Sequence, residues 1–404
     1  MAAIKDGVYY VGVPDPDLVT FDVVMETRYG TTYNSYLINA GKKVLIDTVK
    51  EKYKDRLIDN IKKYIDPAEL DYIICNHTEP DHSGSLPHLL KVAKKAVVMG
   101  SGQALGYLKE MNNTPFESRK VMDGDTLDIG GKTLKFIGAP NLHWPDSIYT
   151  YLGEDRLLFT CDSFGAHYCK DKIFDDELDD YSDSYKYYFD VILRPFSKFM
   201  LKAIEKIEPL EIDMICPGHG PILRSSWKDK LALARQYSTE FLGKVNNTES
   251  YILIAYVSAY GYTGEMAHVI AAGIRSEGYN NIEVADIEHM QLGELEERIV
   301  RASGILIGSP TINKNTLLPV YKLFSVVNPL RDKGKLAGTF GSYGWSGEAV
   351  ELIDSHLRNL RFDVPQAGLA IRFYPDQDQK EELINYGKRF ARELKEKESI
   401  SAAS

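Results

Sequence analysis

From about Glu249 onward the chain repeats one unit, in which an apolar run is followed by a turn rich in glycine and serine and then by a helical stretch. The apolar runs are "YILIAY", "GILIGS" and "KLAGTF". Apolar runs that alternate with helices are typical of a parallel sheet covered by helices on both faces. This half of the chain is therefore predicted to be an α/β doubly wound parallel sheet.

Residues before about Leu242 follow a different pattern, in which short apolar runs such as "KKVLIDT", "AVVMGS" and "RLLFTCD" are separated by turns and helical stretches. Six of the nine histidines lie in this half. The polar segment "GKVNNTE" joins the two halves. The predicted domains are therefore residues 1–246 and 247–398, with residues 399–404 as a frayed tail.

The composition bounds the class of protein. A chain of 404 residues with 44% hydrophobic and 26% charged residues is long enough for two domains with sizeable cores. The formal charge of −10 argues against a nucleic-acid partner, because phosphate binding needs a basic face. No basic and apolar signal peptide is present, and no apolar run approaches the roughly 20 residues that cross a bilayer, so we expect a cytoplasmic protein without a membrane partner. The four cysteines form no C-x-x-C pair, which argues against a rubredoxin or iron–sulfur module and favours buried thiols.

The stretch "NHTEPDHSG" places four ionisable groups in a predicted loop after the apolar run "LDYIIC". They are His77, Glu79, Asp81 and His82. Groups so close together repel or need partners, and a cation supplies one. The carboxyl end of a strand is also where α/β proteins carry their chemistry. A metal site is predicted here.

Three further candidate ligands each follow an apolar run, namely His143, Asp162 and His219. Seven donors exceed the needs of one four-coordinate metal and suit two metals, with one carboxylate able to bridge them. The mixture of imidazole and oxygen donors fits iron, although zinc and manganese use the same ligand types. We expect His88, on the helical stretch "LPHLLKVAKK", and the isolated His167 to be structural.

In the second half, the stretch "SAYGYTG" (residues 258–264) lies between an apolar run and a helical stretch. Hydroxyl groups and backbone N–H groups at the start of a helix form an anion site, so a phosphate group is the predicted ligand. Neither the G-x-G-x-x-G fingerprint nor a Walker G-K-[ST] sequence is present, which argues against a dinucleotide or nucleoside triphosphate.

The histidine and carboxylate cluster resembles the metallo-β-lactamase signature H-x-H-x-D-H with Glu79 at the second histidine position, which is the mark of the flavodiiron proteins, also called A-type flavoproteins. The resemblance covers essentially the whole chain and implies a metallo-β-lactamase-like αββα sandwich with a non-haem diiron centre. It implies that His77, Glu79 and His143 hold one iron, that Asp81, His82 and His219 hold the other, and that Asp162 bridges them. Within such sites His82 is either coordinated or turned away. Trp144 matches the family and is expected to shape the pocket over the irons.

The "SAYGYTG" stretch likewise resembles the phosphate loop of flavodoxins, so the second domain is expected to be flavodoxin-like and to bind FMN. Two later segments, "GSPTINKNTLLP" and "GSYGWSGEA", follow apolar runs and in flavodoxin-like domains wrap the flavin ring. The FMN-binding residues that this resemblance implies are Ser258, Tyr260, Gly261, Tyr262, Thr263, Pro310, Thr311, Ile312, Asn313, Ser342, Tyr343, Gly344, Trp345, Ser346 and Gly347.

Together the resemblances imply that FMN passes electrons to the diiron centre, which reduces O2 to water or NO to N2O, in a head-to-tail homodimer or a dimer of dimers. The sequence of the segment "FDVVMETRYGTTYNSYLI" is most similar to the stand-alone methanogen branch of the family. This resemblance implies reduced coenzyme F-420 as the electron donor, O2 as the acceptor and a role in oxygen detoxification. A basic patch of Lys314, Arg331, Lys333 and Lys335 is the hypothesis for binding the anionic tail of that coenzyme. Reduced rubredoxin is the alternative donor.

Two readings from other classes stay open at this stage. One is a hydrolase of the metallo-β-lactamase type, acting on esters or thioesters, whose second domain binds an unrelated phosphate ligand. The other is an electron-transfer module with FMN and a structural metal only. A colourless protein would favour the first reading, and a yellow protein that consumes no oxygen would favour the second.

Overall fold

The computed structural model describes residues 3–21, 25–245 and 250–403. The chain divides into two compact units, Met1–Leu242 and Gly243–Ser404. The predicted boundary between residues 246 and 247 lies outside the described residues. Among the described residues, no helix is both long and apolar enough to cross a lipid bilayer.

The first unit is built from many short strands joined by helices. Its described strands are β1 (Ala3–Lys5), β2 (Val8–Tyr10), β3 (Val13–Asp15), β4 (Thr20–Phe21), β5 (Met25–Glu26), β6 (Thr31–Tyr33), β7 (Tyr36–Asn39), β8 (Lys43–Ile46), β9 (Tyr72–Ile74), β10 (Val97–Gly100), β11 (Ser118–Lys120), β12 (Thr126–Asp128), β13 (Thr133–Gly138), β14 (Ile148–Leu152), β15 (Leu157–Cys161) and β16 (Met214–Pro217). Its α-helices are α1 (Lys54–Ile61), α2 (Pro80–Ser83), α3 (Leu86–Val92), α4 (Gly102–Asn112), α5 (Ser182–Tyr188), α6 (Ser197–Ile207) and α7 (Trp227–Val245). Short 3-10 helices cover Glu51–Tyr53, Pro67–Glu69, Asp175–Glu177 and Arg194–Phe196, and a π-helical turn covers Phe189–Leu193.

Two sheets form the body of this unit. The first has the strand order β1-β2-β7-β8-β9-β10-β11 and the second the order β12-β13-β14-β15-β16. The pairs β8-β9, β9-β10, β10-β11 and β15-β16 are parallel, and the other neighbours within these sheets are antiparallel. The pairs β3-β6 and β4-β5 form two small separate ribbons.

Residue alternation explains why the two sheets stack. In β9, Ile74 packs in a core that also contains Phe159 of the second sheet, whereas Ile73 packs on the opposite face with residues of α1, α3 and α4. In β15, Leu158 packs with α5, α6 and α7 on the outer face of the second sheet. Because successive side chains of a strand point to opposite faces, each sheet contributes to two cores. The predicted αββα sandwich is confirmed.

The second unit contains an entirely parallel sheet. Its strands are β17 (Ile252–Tyr256), β18 (Ile282–Asp286), β19 (Gly304–Gly308), β20 (Leu336–Tyr343) and β21 (Leu369–Arg372), in the order β18-β17-β19-β20-β21. Its helices are α8 (Tyr262–Ser276), α9 (Leu292–Arg301), α10 (Leu318–Ser325), α11 (Pro329–Asp332), α12 (Glu348–Asn359) and α13 (Gln377–Ala403). This order is the one that flavodoxin-like folds share.

Both faces of the parallel sheet are covered. Ile252 and Ile254 pack against α8 and α13, whereas Leu253 packs against α9, α10 and α12. The predicted doubly wound sheet is confirmed. The last helix runs to Ala403, so residues 399–403 have a helical backbone where the sequence predicts a frayed tail. A hydrogen bond from Ser399 Oγ to Lys395 O (2.8 Å) accompanies this extension of the helix.

Candidate functional sites

The opening cluster follows β9, as predicted, but only part of it is a loop. His77 lies in the connection after the strand, and Glu79 occupies the N-cap position of α2, a single helical turn that carries Asp81 and His82. Pro80 begins this turn, where its fixed φ angle and missing N–H group are tolerated. The sequence predicts a loop throughout because a turn of four residues is too short to show a helical periodicity.

The remaining three candidate ligands come from the second sheet. His143 lies in the connection between β13 and β14, Asp162 directly follows β15, and His219 follows β16 by two residues. All seven candidates converge at one end of the sandwich. One group of donor atoms comprises His77, Glu79, His143 and Asp162, and an adjoining group comprises Asp81, His82 and His219.

In the first group, the carboxylate of Glu79 lies within hydrogen-bonding distance of two imidazole rings. Glu79 Oε2 lies 2.8 Å from His143 Nε2 and 3.3 Å from His77 Nε2. Asp162 Oδ2 lies 3.4 Å from His77 Nε2 and 3.7 Å from His143 Nε2. The group is therefore the right size to surround one small cation.

In the second group, Asp81 Oδ2 lies 3.0 Å from His219 Nε2 and 3.3 Å from His82 Nε2. Asp162 presents its other oxygen here, with Oδ1 at 3.1 Å from His82 Nε2 and 3.5 Å from His219 Nε2. Asp162 is thus the residue shared by both groups, one oxygen in each. His82 faces this group and is not turned away from it.

Several of these donors are buried and form no well-aligned hydrogen bond. Imidazole nitrogens lie 3.0 Å from Asp81 Oδ2 and 3.4 Å from Asp162 Oδ2, but among the described residues these two oxygens and Asp81 Oδ1 accept no hydrogen bond, although the two residues are only 4% and 2% exposed. A buried carboxylate oxygen without a partner is costly unless a cation or water neutralises it. The donor set therefore fits a pair of metal ions.

Residues outside the groups fix two of the imidazole rings. His77 Nδ1 lies 3.3 Å from both oxygens of Asp146, and the Oδ2 atom of Asp146 also accepts hydrogen bonds from Thr78 N and Thr78 Oγ1, each at 2.8 Å. His219 Nδ1 donates to Thr32 O at 2.6 Å. Holding Nδ1 from outside directs Nε2 of each ring inward, as at metal-binding histidines generally.

Glycine at position 218 gives His82 its space. A Cβ atom at Gly218 would lie 2.7 Å from His82 Cε1 and 3.2 Å from His82 Nδ1. Both contacts are shorter than side-chain atoms tolerate, so a larger residue would displace the ring.

Trp144 lies beside the first group. Its ring is perpendicular to that of His77, with centroids 5.3 Å apart and an interplanar angle of 84°, and it also contacts Tyr107. On this side the Glu79 and His143 side chains are 13% and 22% exposed, whereas those of His77 and Asp81 are 0% and 4% exposed. Solvent therefore reaches the centre past Glu79 and His143, next to Trp144.

The predicted phosphate loop connects β17 to α8 in the second unit. Gly261 is the N-cap of α8 with a φ angle of +81°, and nothing lies within 4 Å of the position that a Cβ atom would occupy there. Ser258 Oγ accepts a hydrogen bond from Gly264 N (3.3 Å), and Thr263 Oγ1 lies 2.9 Å from Ser342 Oγ. An open loop with hydroxyl groups at a helix N-terminus fits a phosphate group.

The other two predicted loops adjoin this one at the carboxyl ends of β19 and β20. Thr311 N donates to Ser342 O (2.8 Å), which ties the two loops together. Ser342 and Tyr343 are the last residues of β20 rather than loop residues. The aromatic residues Tyr260 and Trp345 are 80% and 87% exposed, so broad apolar surfaces flank the loops. Their arrangement can accommodate a planar ring beside the phosphate position.

Comparison with known proteins gives the same two parts. Residues 31–220 match the family described as ODP family beta lactamase, and residues 254–387 match the flavodoxin family. A flavo-diiron protein of Clostridium acetobutylicum is 42% identical over 397 residues, covering 97% of this chain and 99% of that protein. The chain belongs to the flavodiiron protein family.

Two further relatives are similar to this flavodiiron protein over nearly its whole length. The solved structure of the rubredoxin oxygen:oxidoreductase of Desulfovibrio gigas is 30% identical with a TM-score of 0.69, and the match covers 98% of this chain and 99% of that one. An uncharacterized protein of Methanocaldococcus jannaschii is 37% identical over 391 residues, covering 96% of this chain and 97% of that protein.

Burial and pairing shift the ionisation of the candidate ligands in this flavodiiron protein. Burial alone would lower the pKa of His82, but the charges of Asp81 and Asp162 outweigh it and raise the pKa to about 9. Burial alone would raise the pKa of Asp162, but the neighbouring imidazoles hold it well below its usual range. The protein without metal therefore favours imidazolium next to carboxylate, and a bound cation has to displace those protons.

Two residues near the centre of this flavodiiron protein were not predicted. His167, expected to be an unsupported structural residue, is buried with its ring centroid 5.3 Å from that of His219, and its Nδ1 lies 2.9 Å from Thr31 Oγ1. Tyr188 donates a hydrogen bond from its hydroxyl to Asp162 Oδ1 (3.0 Å) and precedes the π-helical turn. No short motif marks either residue. His88, also expected to be structural, lies on α3 with its Nε2 atom 2.9 Å from Glu51 Oε1.

The hypothesis of a basic patch for the anionic tail is wrong in three of its four residues. Arg331, Lys333 and Lys335 precede β20 and so lie at its amino end, whereas the phosphate loop follows the carboxyl end of β17, another strand of the same parallel sheet. Arg331 and Lys335 are also held by Asp332, at 2.6 and 3.0 Å. Only Lys314 lies in a loop at the carboxyl ends, between β19 and α10.

Proposed function

We propose that this flavodiiron protein is an F-420H2 oxidase, in which FMN takes electrons from reduced coenzyme F-420 and a non-haem diiron centre reduces O2 to water. The observation that carries the diiron part is the position of Asp162, whose two carboxylate oxygens face two separate groups of donors. Such an arrangement suits two ions at short distance with a shared carboxylate.

Each ion would be held by one group of donors. His77, Glu79 and His143 would hold the first, Asp81, His82 and His219 the second, and Asp162 would bridge. Glu79 adds an oxygen donor where zinc hydrolases of this fold carry a third imidazole, and harder oxygen donors favour iron over softer metals. When bound, the irons supply open coordination positions and redox equivalents for O2 reduction, and FMN supplies two-electron acceptance from the donor.

The residues of this chain would provide the surroundings of that chemistry. Asp146 and Thr32 hold the rings of His77 and His219 by their outer nitrogen atoms. The exposed side at Glu79 and His143, with Trp144 next to them, supports entry of a small oxidant at that point. Tyr188 places a hydroxyl group on the bridging carboxylate.

The three loops of the second unit would bind FMN. Ser258 and Thr263, at the start of α8, would contact the phosphate group, and the segments 310–313 and 342–347 would flank the ring. Tyr260 and Trp345 are exposed enough to stack against it or against a neighbouring molecule.

The choice of electron donor rests on the similarity of the N-terminal segment "FDVVMETRYGTTYNSYLI" to the methanogen branch and on the relative from Methanocaldococcus jannaschii. A second donor, reduced rubredoxin, is favoured by the relative that is named a rubredoxin oxygen:oxidoreductase. NO is the second candidate acceptor. Electron transfer from flavin to iron needs close approach, and we propose a head-to-tail homodimer, alone or paired, to provide it.

An anaerobic titration tests the proposal. Reduced F-420 is added to protein of known iron and FMN content, a known amount of O2 is admitted, and coenzyme oxidation, oxygen loss and peroxide are followed together. Oxidation of two coenzymes per O2 without peroxide is expected, because O2 reduction to water takes four electrons. An FMN that stays oxidised would contradict the donor, and the same test with reduced rubredoxin then decides between the two.

The control is the Asp162→Ala variant loaded with FMN. Its flavin should still be reduced, but O2 should disappear only by reaction with free reduced flavin, which yields peroxide. Equal water-forming activity in this variant would show that the diiron centre is not the site of reduction.

A further inference from the structure

A cavity of about 700 Å³ lies in the first unit, and none of the seven candidate metal ligands lines it. This volume is within the roughly 300 to 1,000 Å³ typical of small-molecule sites. Four cationic residues line it, namely Arg28, Arg56, Lys170 and Lys172, against one carboxylate residue, Asp171. A cationic cavity is unexpected in a chain with a formal charge of −10.

The four cations are not neutralised by neighbouring acids. Nearby Lys52 is paired with Asp15 at 2.8 Å, but among the described residues none of the four cavity cations forms such an ion pair. Unpaired cations gathered at one concave surface raise the local potential and attract anions.

Aromatic rings hold three of these cations without neutralising them, and one of the three is Arg56, 5.6 Å from the ring centroid of Tyr53. Lys170 Nζ lies 5.1 Å from the ring centroid of Tyr29 and 5.8 Å from that of Tyr168, and Arg28 lies 5.3 Å from that of Tyr29. The two rings are themselves 5.1 Å apart at an angle of 60°. Cation–π contacts orient the charged groups and leave their N–H groups available to a ligand.

The floor of the cavity is connected to a candidate iron ligand. Thr32 and Gly220 both line the cavity, and Thr32 O accepts the hydrogen bond from His219 Nδ1 (2.6 Å). Thr32 Oγ1 also accepts from Gly220 N (2.8 Å). An occupant would therefore rest on the backbone that positions His219.

We propose that this cavity binds a phosphorylated small molecule that carries an aromatic ring. The guanidinium groups of Arg28 and Arg56 and the ammonium group of Lys170 suit a phosphate group. Each guanidinium group can bind it through two parallel hydrogen bonds. The rings of Tyr29 and Tyr168 supply an apolar surface for the aromatic part. The cavity adjoins the donor groups through Thr32, whose carbonyl oxygen accepts the hydrogen bond from His219.

Calorimetric titration of the holoprotein, with iron and FMN bound and at constant ionic strength, tests this site with AMP and inorganic phosphate as probes. Loss of two charge-assisted contacts in the Arg56→Gln/Lys170→Gln variant should weaken AMP binding at least about tenfold. The matched control is Lys94→Gln/Lys109→Gln, which removes two exposed cations elsewhere in the same unit and should leave binding unchanged. AMP should also bind more tightly than phosphate, because only AMP can use the tyrosine rings.

Hydrogen exchange of the same holoprotein locates the ligand. AMP should slow exchange in peptides covering residues 28–34 and 168–173. Absence of saturable binding, equal binding by the Arg56→Gln/Lys170→Gln variant, or protection confined to residues 258–264 would overturn the proposal. Binding of AMP no tighter than that of phosphate would overturn the aromatic part of the assignment.

Discussion

Asp146 holds His77 by its outer nitrogen, with both carboxylate oxygens 3.3 Å from Nδ1. Its Oδ2 atom is also used by Thr78, which donates from both its backbone N–H and its hydroxyl group. Asp146 is completely buried, so no water can substitute for it. A residue that lies outside the proposed ligand set thus fixes the direction of His77 Nε2.

Replacing Asp146 by Asn should weaken metal binding at the His77 side about 10- to 100-fold. An amide keeps the shape, but when its oxygen accepts from Thr78 its NH2 group faces His77 Nδ1 as a donor. The proton then favours Nε2 of His77, the atom that would have to bind the metal. Competition with a chelator, followed by iron analysis, measures the effect. The exposed residue Asp17, changed to Asn, is the control, and equal iron retention in both variants would contradict the role of Asp146.

Replacing Asp162 by Ala should release both metal ions, because the residue contributes an oxygen to each group and its loss leaves two cations repelling at short range. Iron content per chain is the measurement, with circular dichroism to verify the fold. Full iron occupancy would refute the bridging role. Loss of only one iron would assign Asp162 to a single ion.

Replacing Thr263 by Val should weaken FMN binding about tenfold, since a buried hydroxyl group near the phosphate position is lost without a change in shape. Fluorescence of released FMN gives the dissociation constant. Thr339, in the middle of β20, offers a matched control in the same unit, because its hydroxyl group is also buried but forms no hydrogen bond with any described residue. Equal weakening by Thr339→Val would mean that packing, not phosphate contact, explains the result.

Replacing Asp332 by Asn should destabilise the second unit by about 3 to 5 kcal/mol at pH 7, because Arg331 and Lys335 then lose their buried partner. Burial alone would raise the pKa of Asp332. The hydrogen bond that Asp332 accepts from Arg331 and the charge of Lys335 outweigh the effect of burial, so the pKa of Asp332 is lowered. A lowered carboxyl pKa contributes stability above the unfolded pKa and loses it as the pH falls. The difference from wild type should therefore shrink below about pH 4.

Denaturant unfolding, with the release of FMN as the signal, gives the difference in free energy of unfolding between the variant and the wild type for the second unit. The exposed Glu381, changed to Gln, should have little effect at either pH. A difference that stays constant between pH 7 and pH 3 would show that charge pairing at Asp332 is not the cause.

The donor residues were identifiable in the sequence because each follows an apolar run, and part of their convergence was predictable because the carboxyl ends of neighbouring parallel strands meet at one edge. Asp162 and His219, which follow the parallel pair β15 and β16, are brought together in this way. The supporting residues were not predictable. Asp146 lies in a turn, Thr32 on strand β6 and Tyr188 at the end of helix α5, and no local pattern in the sequence specifies where these elements lie in space.

The sequence already contained a signal against placing the basic patch near the flavin. Lys333 and Lys335 precede an apolar run, and residues before a strand lie at the opposite end of a parallel sheet from residues after it. A residue close to a strand in sequence can therefore be placed at one end of the sheet only when it is known whether the residue precedes or follows the strand. The assignment of Ser258 and Thr263 to the phosphate loop takes strand direction into account, since both residues follow β17.

The candidate ligands are divided between the two sheets of the sandwich. His77, Glu79, Asp81 and His82 follow β9 of the first sheet, whereas His143, Asp162 and His219 belong to connections of the second. Bound ions would thus cross-link one sheet to the other at the edge of the core, where apolar packing ends. Separating the sheets at that edge would first require the metal to dissociate. Tighter metal binding would therefore raise the resistance of the whole unit to unfolding.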